Sequence, residues 1–285
     1  MSDMSGNPGA SASLSPKAFE VIAGLAKSEA GIILTPAKTT MVQSRLRGRI
    51  RAVGYADFDD YAKFVSSESG LAERREMISA LTTNVSHFFR EPHHFDMLRD
   101  QALPILRERA RNGGRVRIWS AGCSSGQEPY SIAMTLMEHA PEMAQKDVLI
   151  LASDIDPQIL AKAKAGIYSE QQIGGIPEGY LKKYMRKSGS GLDVQYEVDP
   201  ALKKLVRFRE LNLLRDWPMS GGFDVVFCRN VVIYFDAPTQ ASLWPRFHKM
   251  LGKDAWFFLG HSERISDCAQ PLFKSIGLTA YRPAA

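Results

Sequence analysis

The sequence predicts an α/β fold with a doubly wound, mostly parallel sheet that carries a small antiparallel β insertion and follows a small all-α domain. Three observations support this prediction. Strand-like apolar runs alternate with helical patterns beyond residue 96, and polar residues collect directly after those runs. Residues 15–82 show helical periodicity alone. Because open α/β sheets bind ligands at the carboxyl ends of their strands, we expect the site at that edge.

Composition places the chain among ordinary globular proteins. Of its 285 residues, 45% are hydrophobic and 24% are charged, and the net charge of +5 permits an acidic partner. No window is long and apolar enough to cross a bilayer, and residues 1–15 lack the basic and apolar regions of a signal peptide. The three cysteines, Cys123, Cys228 and Cys268, are too widely spaced for a disulfide framework or a zinc pattern. We therefore expect a cytoplasmic protein with reduced thiols and no membrane insertion.

The amino-terminal region is predicted to hold a disordered tail and a helical domain. Residues 1–14 are rich in serine, glycine and alanine. The pair Ser15-Pro16 is typical of a helix start, with serine as the cap and proline in the first turn. Three further helices are predicted, over Lys38–Val53, Asp57–Val65 and Leu71–Leu81. The helical domain therefore spans residues 15–82.

The second predicted helix carries a run of basic residues. Between residues 31 and 56 there is no acid, and the five bases are Lys38, Arg45, Arg47, Arg49 and Arg51. Arg47 and Arg51 lie opposite the apolar stripe of this helix, while Arg45 and Arg49 flank it. A merely solvated face usually mixes charges of both signs, so docking of an acidic partner and simple solvation both remain open. Aromatic residues are not interleaved, which argues against single-stranded nucleic acid.

The first strand of the sheet leads into a glycine turn and a helix. Val116–Trp119 is the predicted strand, Gly122–Gly126 the turn and Glu128–Ala140 the helix, with Pro129 suited to its first turn. Glycines let a ligand approach the backbone, and the first helical turn presents free N–H groups. Because Gly122 and Gly126 are four residues apart, the Gly-x-Gly-x-x-Gly pattern of dinucleotide-binding proteins is absent.

The second strand ends in two acidic residues. Val148–Ala152 is a continuous apolar run, as expected for a strand buried on both faces, and Asp154 and Asp156 follow it. An acid at the tip of the second strand is where a doubly wound sheet binds a ribose. The alternative is that both aspartates cap the helix predicted over Pro157–Ala165.

The rest of the chain supplies further strands and helices. Two alternating segments suggest an antiparallel β insertion at about residues 188–211. The predicted elements are helices at Phe95–Arg111 and Thr239–Leu251, insertion strands at Val194–Val198 and Leu205–Leu211, and sheet strands at Phe223–Cys228, Trp256–Leu259 and Leu278–Tyr281. His87, His93 and His94 lack the spacing of metal ligands, so we expect no metal.

Five segments, in this order along the chain, resemble the successive motifs of the CheR family of chemotaxis receptor methyltransferases. They are Thr82–Arg90, Trp119–Ser131, Ser153–Asp156, Phe227–Asp236 and Gly260–Glu263. The resemblance covers about residues 15–283. It implies a helical domain over 15–82, a linker over 83–95 that contributes to the cofactor site, and a Rossmann-like S-adenosylmethionine-dependent methyltransferase domain over 96–285 with a small antiparallel β subdomain.

The resemblance also implies which residues bind the cofactor. These are Asn84, Ser86 and Arg90 from the linker, Glu128 and Asp154 at its amino-acid and ribose portions, Asn212 and Leu213 on the adenine side, and Asn230 and Val231 at the floor of the site. Ser86 stands where many members have threonine, and Gln127 where many have glutamate. Both retain a hydrogen-bonding side chain.

The function implied by the resemblance is methylation of specific glutamates on the cytoplasmic helical bundle of chemoreceptors, with S-adenosylhomocysteine as the product. Arg45, Arg47, Arg49 and Arg51 would then dock the acidic receptor. No catalytic residue is assigned, and either Arg90 or Tyr234 is a candidate for orienting the substrate carboxylate. The short turn at residues 187–191 predicts no strong tethering of a receptor's carboxy-terminal peptide.

Two other functions are compatible with the same fold. A nucleic-acid methyltransferase would suit the basic helix, but Cys228 is followed by Arg-Asn-Val-Val-Ile-Tyr rather than by the Asn/Asp-Pro-Pro-Tyr pattern of amino-methylating DNA enzymes. We therefore expect no nucleic-acid partner. A non-catalytic adaptor that senses the cofactor would keep Glu128 and Asp154 without transferring a methyl group.

Overall fold

The computed structural model describes residues 13–284, which form two compact units, 13–82 and 83–284. The predicted tail, residues 1–14, lies outside the described residues except for Ser13 and Leu14, and the side chain of Leu14 is buried. Within the described residues, no helix combines the length and apolarity that a membrane span requires.

The first unit is helical, as the sequence predicts. Its helices are α1 Pro16–Ala30, α2 Thr39–Ala52, α3 Phe58–Ser66 and α4 Leu71–Leu81, with a 3-10 turn at Pro36–Lys38. Ser15 caps α1, because its hydroxyl accepts a hydrogen bond from the backbone N–H of Ala18. Gly31 ends the helix in the left-handed conformation, which glycine adopts without a steric penalty.

A buried carboxylate joins three helices of the first unit. Glu73 on α4 is only 5% exposed, and Tyr61 on α3 donates to its Oε1 at 2.9 Å. Arg49 on α2 donates two hydrogen bonds to the same carboxylate. Because a buried charge is costly unless it is paired, this cluster fixes how the three helices pack.

The second unit contains ten strands in two sheets. They are β1 Val116–Ala121, β2 Val148–Asp154, β3 Ile167–Ser169, β4 Met185–Ser188, β5 Gln195–Val198, β6 Val206–Glu210, β7 Phe223–Cys228, β8 Leu251–Leu259, β9 Phe273–Gly277 and β10 Ala280–Pro283. The large sheet has the order β6-β2-β1-β7-β8-β10-β9, with β10 antiparallel to both of its neighbours. The strand order reverses between β1 and β7, which is the switch point where such sheets bind ligands.

Helices cover both faces of this sheet. The helices of the second unit are α5 Pro92–Met97, α6 Leu103–Arg111, α7 Gln127–His139, α8 Pro157–Ala165, α9 Glu178–Tyr184, α10 Pro200–Leu205 and α11 Ala237–Met250, of which α9 packs against β4 of the small sheet. Successive residues of β1 point to opposite faces, so Ile118 packs in one apolar core with α6 and α7 while Trp119 packs in the other with α11. All six residues of β7 are buried, as expected for a central strand.

The helix predicted over Phe95–Arg111 is interrupted. A π-helical turn, Leu98–Ala102, separates α5 from α6. Pro104 lies in the first turn of α6, two residues after Ala102, and its missing N–H removes one helical hydrogen bond, which accounts for the local change in winding.

The predicted β insertion is wrong in its extent. The small antiparallel sheet has the order β3-β5-β4 and spans residues 167–198, whereas β6 pairs in parallel with β2 in the large sheet. As an edge strand, β6 buries only one face and therefore alternates like a hairpin strand. The sequence also missed β3, β4 and β9, which are three to five residues long and lack an apolar run.

The turns that leave β1 and β7 touch each other at Gly122. This residue has a φ of +79°, and a Cβ placed on it would lie 2.3 Å from Cγ2 of Val231. Both the backbone conformation and the close approach therefore require glycine. Gly113 has nearly the same φ, +78°, but nothing lies within 4 Å of its Cβ position.

This contrast gives a stability prediction. Gly122→Ala should lower the free energy of unfolding by about 3 kcal/mol, from about 1–2 kcal/mol of left-handed strain plus overpacking against Val231. Gly113→Ala, the matched control, should cost only the strain. Urea unfolding followed by tryptophan fluorescence measures this difference, because all four tryptophans belong to the second unit. If the two variants lost equal free energies of unfolding, overpacking against Val231 would not destabilise the protein.

Candidate functional site

The turn after β1 is hydrogen-bonded to the end of β2. The backbone N–H groups of Gly122 and Cys123 donate to the carbonyl oxygen of Ser153 at 2.8 and 2.9 Å. The N–H of Ser124, a residue with φ +49°, donates to Oδ2 of Asp154 at 2.8 Å. The side chain of Asp154 is thus oriented by the backbone of the neighbouring strand's turn.

The two acids after β2 have different roles. Asp156 caps α8, because its Oδ1 accepts from the N–H groups of Gln158 and Ile159 at 2.9 and 3.3 Å. Asp154 does not cap the helix, and it is 8% exposed. Burial raises the pKa of Asp154 to about 6, although hydrogen bonds from backbone N–H groups favour the ionised form. A carboxylate has about four lone-pair positions, and three backbone N–H groups donate to this one, so it retains capacity for a ligand.

The linker residue Asn84 meets the same turn. Its carbonyl oxygen accepts from Oγ of Ser124 at 2.9 Å, and its Nδ2 donates to Oδ2 of Asp156 at 2.9 Å. Further along, the N–H of Phe89 donates to Oγ of Ser131 on α7 at 3.0 Å. The linker therefore runs beside the start of α7.

The two other linker residues that are predicted to bind the cofactor are partly exposed. Ser86 and Arg90 are both half-buried, and Nη1 of Arg90 donates to the carbonyl oxygen of Val85 at 3.2 Å. Tyr234, the other candidate for orienting a substrate carboxylate, is also partly exposed and ends the 3-10 turn Val232–Tyr234.

Glu128 lies in the first turn of α7. Its Oε1 accepts from Oγ of Ser120 at 2.6 Å, and its Oε2 is 3.5 Å from Nη1 of Arg229. Burial raises the pKa of Glu128, and Arg229 together with the Ser120 hydrogen bond opposes that rise.

Arg229, which the sequence analysis did not single out, is the buried cation of this region. Its side chain is 1% exposed, and its Nη2 donates to the carbonyl oxygen of Arg90 and lies 3.4 Å from Oε2 of Glu91. The guanidinium carbon is 5.6 Å from the ring centre of Phe95 and 6.0 Å from that of Phe227. Two carboxylates and two aromatic rings thus surround one positive charge.

The turn after β7 is fixed by a second buried carboxylate, that of Glu263. Its Oε2 accepts from the N–H groups of Asn230 and Gly260 at 2.9 and 2.6 Å. Its Oε1 accepts from those of Val231 and Ile233 at 2.8 and 3.2 Å. Glu263 ends the motif segment Gly260–Glu263, but no sequence pattern indicates this role, because three of its four donors lie 30 to 33 residues away.

The predicted adenine-side residues follow β6 at the same sheet edge. The N–H of Leu211 donates to the carbonyl oxygen of Asp154 at 2.9 Å, which places Asn212 just beyond the tip of β2. Oδ1 of Asn212 accepts from the N–H of Leu214 at 2.9 Å, and Leu213 is buried. All nine predicted cofactor residues therefore belong to the second unit, and the contacts described above place all of them except Ser86 at or beside the carboxyl edge of its sheet.

The basic residues of α2 divide into two pairs. Nη1 of Arg45 donates to the carbonyl oxygens of Leu81 and Thr82 at 2.7 and 2.8 Å, and Arg49 is bound to Glu73. Arg47 and Arg51 are exposed. Arg45 and Arg49 therefore have contacts within the first unit, whereas Arg47 and Arg51 present their charges to solvent.

Two of the histidines approach an acid that the spacing argument did not consider. Glu91, His93 and His94 each place a ligand-type atom within 4.8 Å of the others. Arg229 already provides a cation beside Glu91, and burial lowers the pKa of His94 to about 3, so its ring is neutral. The absence of a metal remains a prediction.

Comparison with known proteins identifies the family. The model described as "CheR methyltransferase, all-alpha domain" matches residues 17–82, and "CheR methyltransferase, SAM binding domain" matches residues 84–282. A probable chemotaxis protein methyltransferase of Rhizobium etli is 50% identical over 259 residues, which cover 90% of this chain and 95% of that protein. The chemotaxis protein methyltransferase of Borreliella burgdorferi is 42% identical over 240 residues, 82% of this chain and 83% of that protein.

A third relative extends over nearly the whole chain. The chemotaxis protein methyltransferase of Klebsiella aerogenes is 40% identical over 270 residues, which cover 94% of this chain and 90% of that protein. The resemblance found in the sequence is thereby confirmed, and so is the predicted cofactor. The chain belongs to the CheR methyltransferase family, and its second unit contains that family's domain for binding S-adenosylmethionine.

Proposed function

We propose that this methyltransferase esterifies glutamate side chains of chemoreceptors. The observation that carries the proposal is the pair of carboxylates, Glu128 and Asp154, oriented at neighbouring strand ends of the S-adenosylmethionine-binding domain. A role in chemotaxis is supported by the names of the relatives, and glutamate as the acceptor is what the resemblance to the CheR family implies. The receptor's cytoplasmic helical bundle is the proposed partner, and the cytoplasm is the proposed location.

The residues present fit the cofactor. Gly126 precedes α7 and provides no side-chain cap, so the first-turn N–H groups could bind the carboxylate of the amino-acid portion. Arg90 would add a positive charge beside that carboxylate. Glu128 would accept from the amino group, and the lone pairs of Asp154 would accept from the ribose hydroxyls.

The other predicted contacts complete this arrangement. Asn84 and Ser86 would approach from the linker, and the Asn230-Val231 backbone would form the floor. Asn212 and Leu213 would border the adenine.

In the proposed methyl transfer, the main task of the protein is to position the two reactants. S-adenosylmethionine supplies a methyl group that its sulfonium already activates. A glutamate side chain has an unperturbed pKa of about 4.3 and is ionised at neutral pH, so it needs no general base. Holding the carboxylate oxygen in line with the methyl carbon and sulfur can account for roughly 7–11 kcal/mol of the barrier.

Methyl transfer tests the proposal directly. Receptor signalling domains incubated with the protein and tritiated S-adenosylmethionine should acquire a label that dilute base removes as methanol, because methyl esters hydrolyse in base. Label on nucleic acid would support the alternative of a nucleic-acid methyltransferase. Cofactor binding without any transfer would support a cofactor-sensing adaptor.

Asp154 gives a pH prediction. Asp154→Asn should bind S-adenosylhomocysteine about tenfold more weakly at pH about 7.5, through loss of a charged hydrogen-bond acceptor. Since the pKa of Asp154 is about 6, the wild-type carboxyl becomes protonated as the pH falls, and the ratio of the two dissociation constants should shrink toward one by pH about 5. Calorimetric titration measures both constants, and a ratio that stays constant over this range would remove Asp154 from the ribose site.

Arg47 and Arg51 give a docking prediction. Replacing either by alanine should lower the rate of receptor methylation at limiting receptor, more at low salt than at high salt, and leave cofactor affinity unchanged. Arg75 on α4 is an exposed arginine of the same unit, so Arg75→Ala is the matched control. If all three variants methylated receptor at the wild-type rate, the exposed face of α2 would be only solvated.

A further inference from the structure

The buried guanidinium of Arg229 joins three segments of the cofactor domain. Arg229 follows β7 directly, its Nη2 holds the carbonyl oxygen of Arg90 and the carboxylate of Glu91, and its Nη1 faces Glu128 on α7. Glu91 has a φ of +56°, a conformation that needs support from its surroundings. Arg229 therefore contacts the segment that carries Arg90 and also the acid in the first turn of α7.

The charge around Arg229 is not balanced. One cation faces two carboxylates, and its Nε and Nη1 have no hydrogen-bond partner within the described residues. The charged and titratable groups that act on Glu128 include Arg229, Glu91, Glu263, Cys123 and Cys228, and the Ser120 hydroxyl donates a hydrogen bond to it. Burial and the two other acids favour protonation of Glu128, whereas Arg229 and the Ser120 hydrogen bond favour its charge. A cationic amino group bound at Glu128 would supply the second positive charge that the two carboxylates lack.

We propose that Arg229 is a positioning residue for the cofactor, which keeps Glu128 ionised for the amino group and holds the Arg90–Glu91 backbone beside it. The inference rests on the proposed role of Glu128. Arg229 acts through these neighbours and need not touch the cofactor itself. A purely structural role, in which the guanidinium only fills space between Phe95 and Phe227, would instead weaken binding equally at every pH.

Calorimetric titration with S-adenosylhomocysteine distinguishes the two roles. Arg229→Gln removes the charge, so Glu128 should bind a proton near neutral pH and release it only at higher pH. The ratio of the variant's dissociation constant to the wild-type constant should therefore fall at least about fivefold between pH about 6 and pH about 8.5. For Arg229→Lys, which keeps the charge, the same ratio should be smaller and should vary less with pH.

Two controls show whether the pH dependence comes from Glu128 and from the charge of Arg229. In a Glu128→Gln background, adding Arg229→Gln should change the affinity by a factor that does not depend on pH, because the titrating acid is gone. Arg109→Gln breaks an ion pair with Asp224, a buried acid of the same strand β7, and should lower stability while leaving the ratio at one.

The outcomes separate this inference from the function on which it rests. A pH-independent ratio for Arg229→Gln, with normal wild-type binding, would overturn the positioning role alone. If Arg229→Gln does not fold, Arg229→Lys decides: dissociation constants close to the wild-type values would support the role of the charge, and strongly weakened binding at every pH would contradict it. Wild-type protein that does not bind S-adenosylhomocysteine would overturn both the inference and the proposed site.

Discussion

The site depends on hydrogen bonds between buried carboxylates and the backbone of neighbouring strand ends. Where β1 and β7 end, the chain turns sharply through left-handed residues such as Ser124 and Asn230, and its N–H groups leave the sheet ladder. Asp154 accepts from Ser124, and Glu263 accepts from four N–H groups around Asn230. Unpaired buried N–H groups are costly, so each acid stabilises the turn that it binds. In both cases this turn follows a neighbouring strand.

The same acids set the electrostatics of the sheet edge. Burial raises the pKa of Asp154, Glu128 and Glu263, so their ionised forms are held at a cost. Arg229 offsets only part of that charge. A ligand that brings a sulfonium and an ammonium would offset more of it. Asp154 and Glu263, which hold the turns, are therefore also two of the three acids that place negative charge at this edge of the sheet.

Helices and strands that depend on local sequence pattern could be predicted from the sequence. The position of Asp154 at the end of the second strand was predicted from the buried apolar run before it, and the helices of the first unit were predicted from their periodicity. Glu91, Arg229 and Glu263 were missed because their partners are distant in sequence: Glu91 accepts from the N–H of His261, 170 residues away. The strand β6 was assigned to the wrong sheet, since five alternating residues do not identify the neighbouring strand.

The affinity of Glu263→Gln for S-adenosylhomocysteine tests this account most directly. An amide in place of the carboxylate presents an N–H to backbone N–H groups, so the turn after β7 should shift. We expect binding to weaken at least about tenfold, or about 1.4 kcal/mol. Asp224→Asn, which alters a buried carboxylate at the other end of the same strand, should lower stability but not affinity. Wild-type affinity in a folded Glu263→Gln protein would contradict the account.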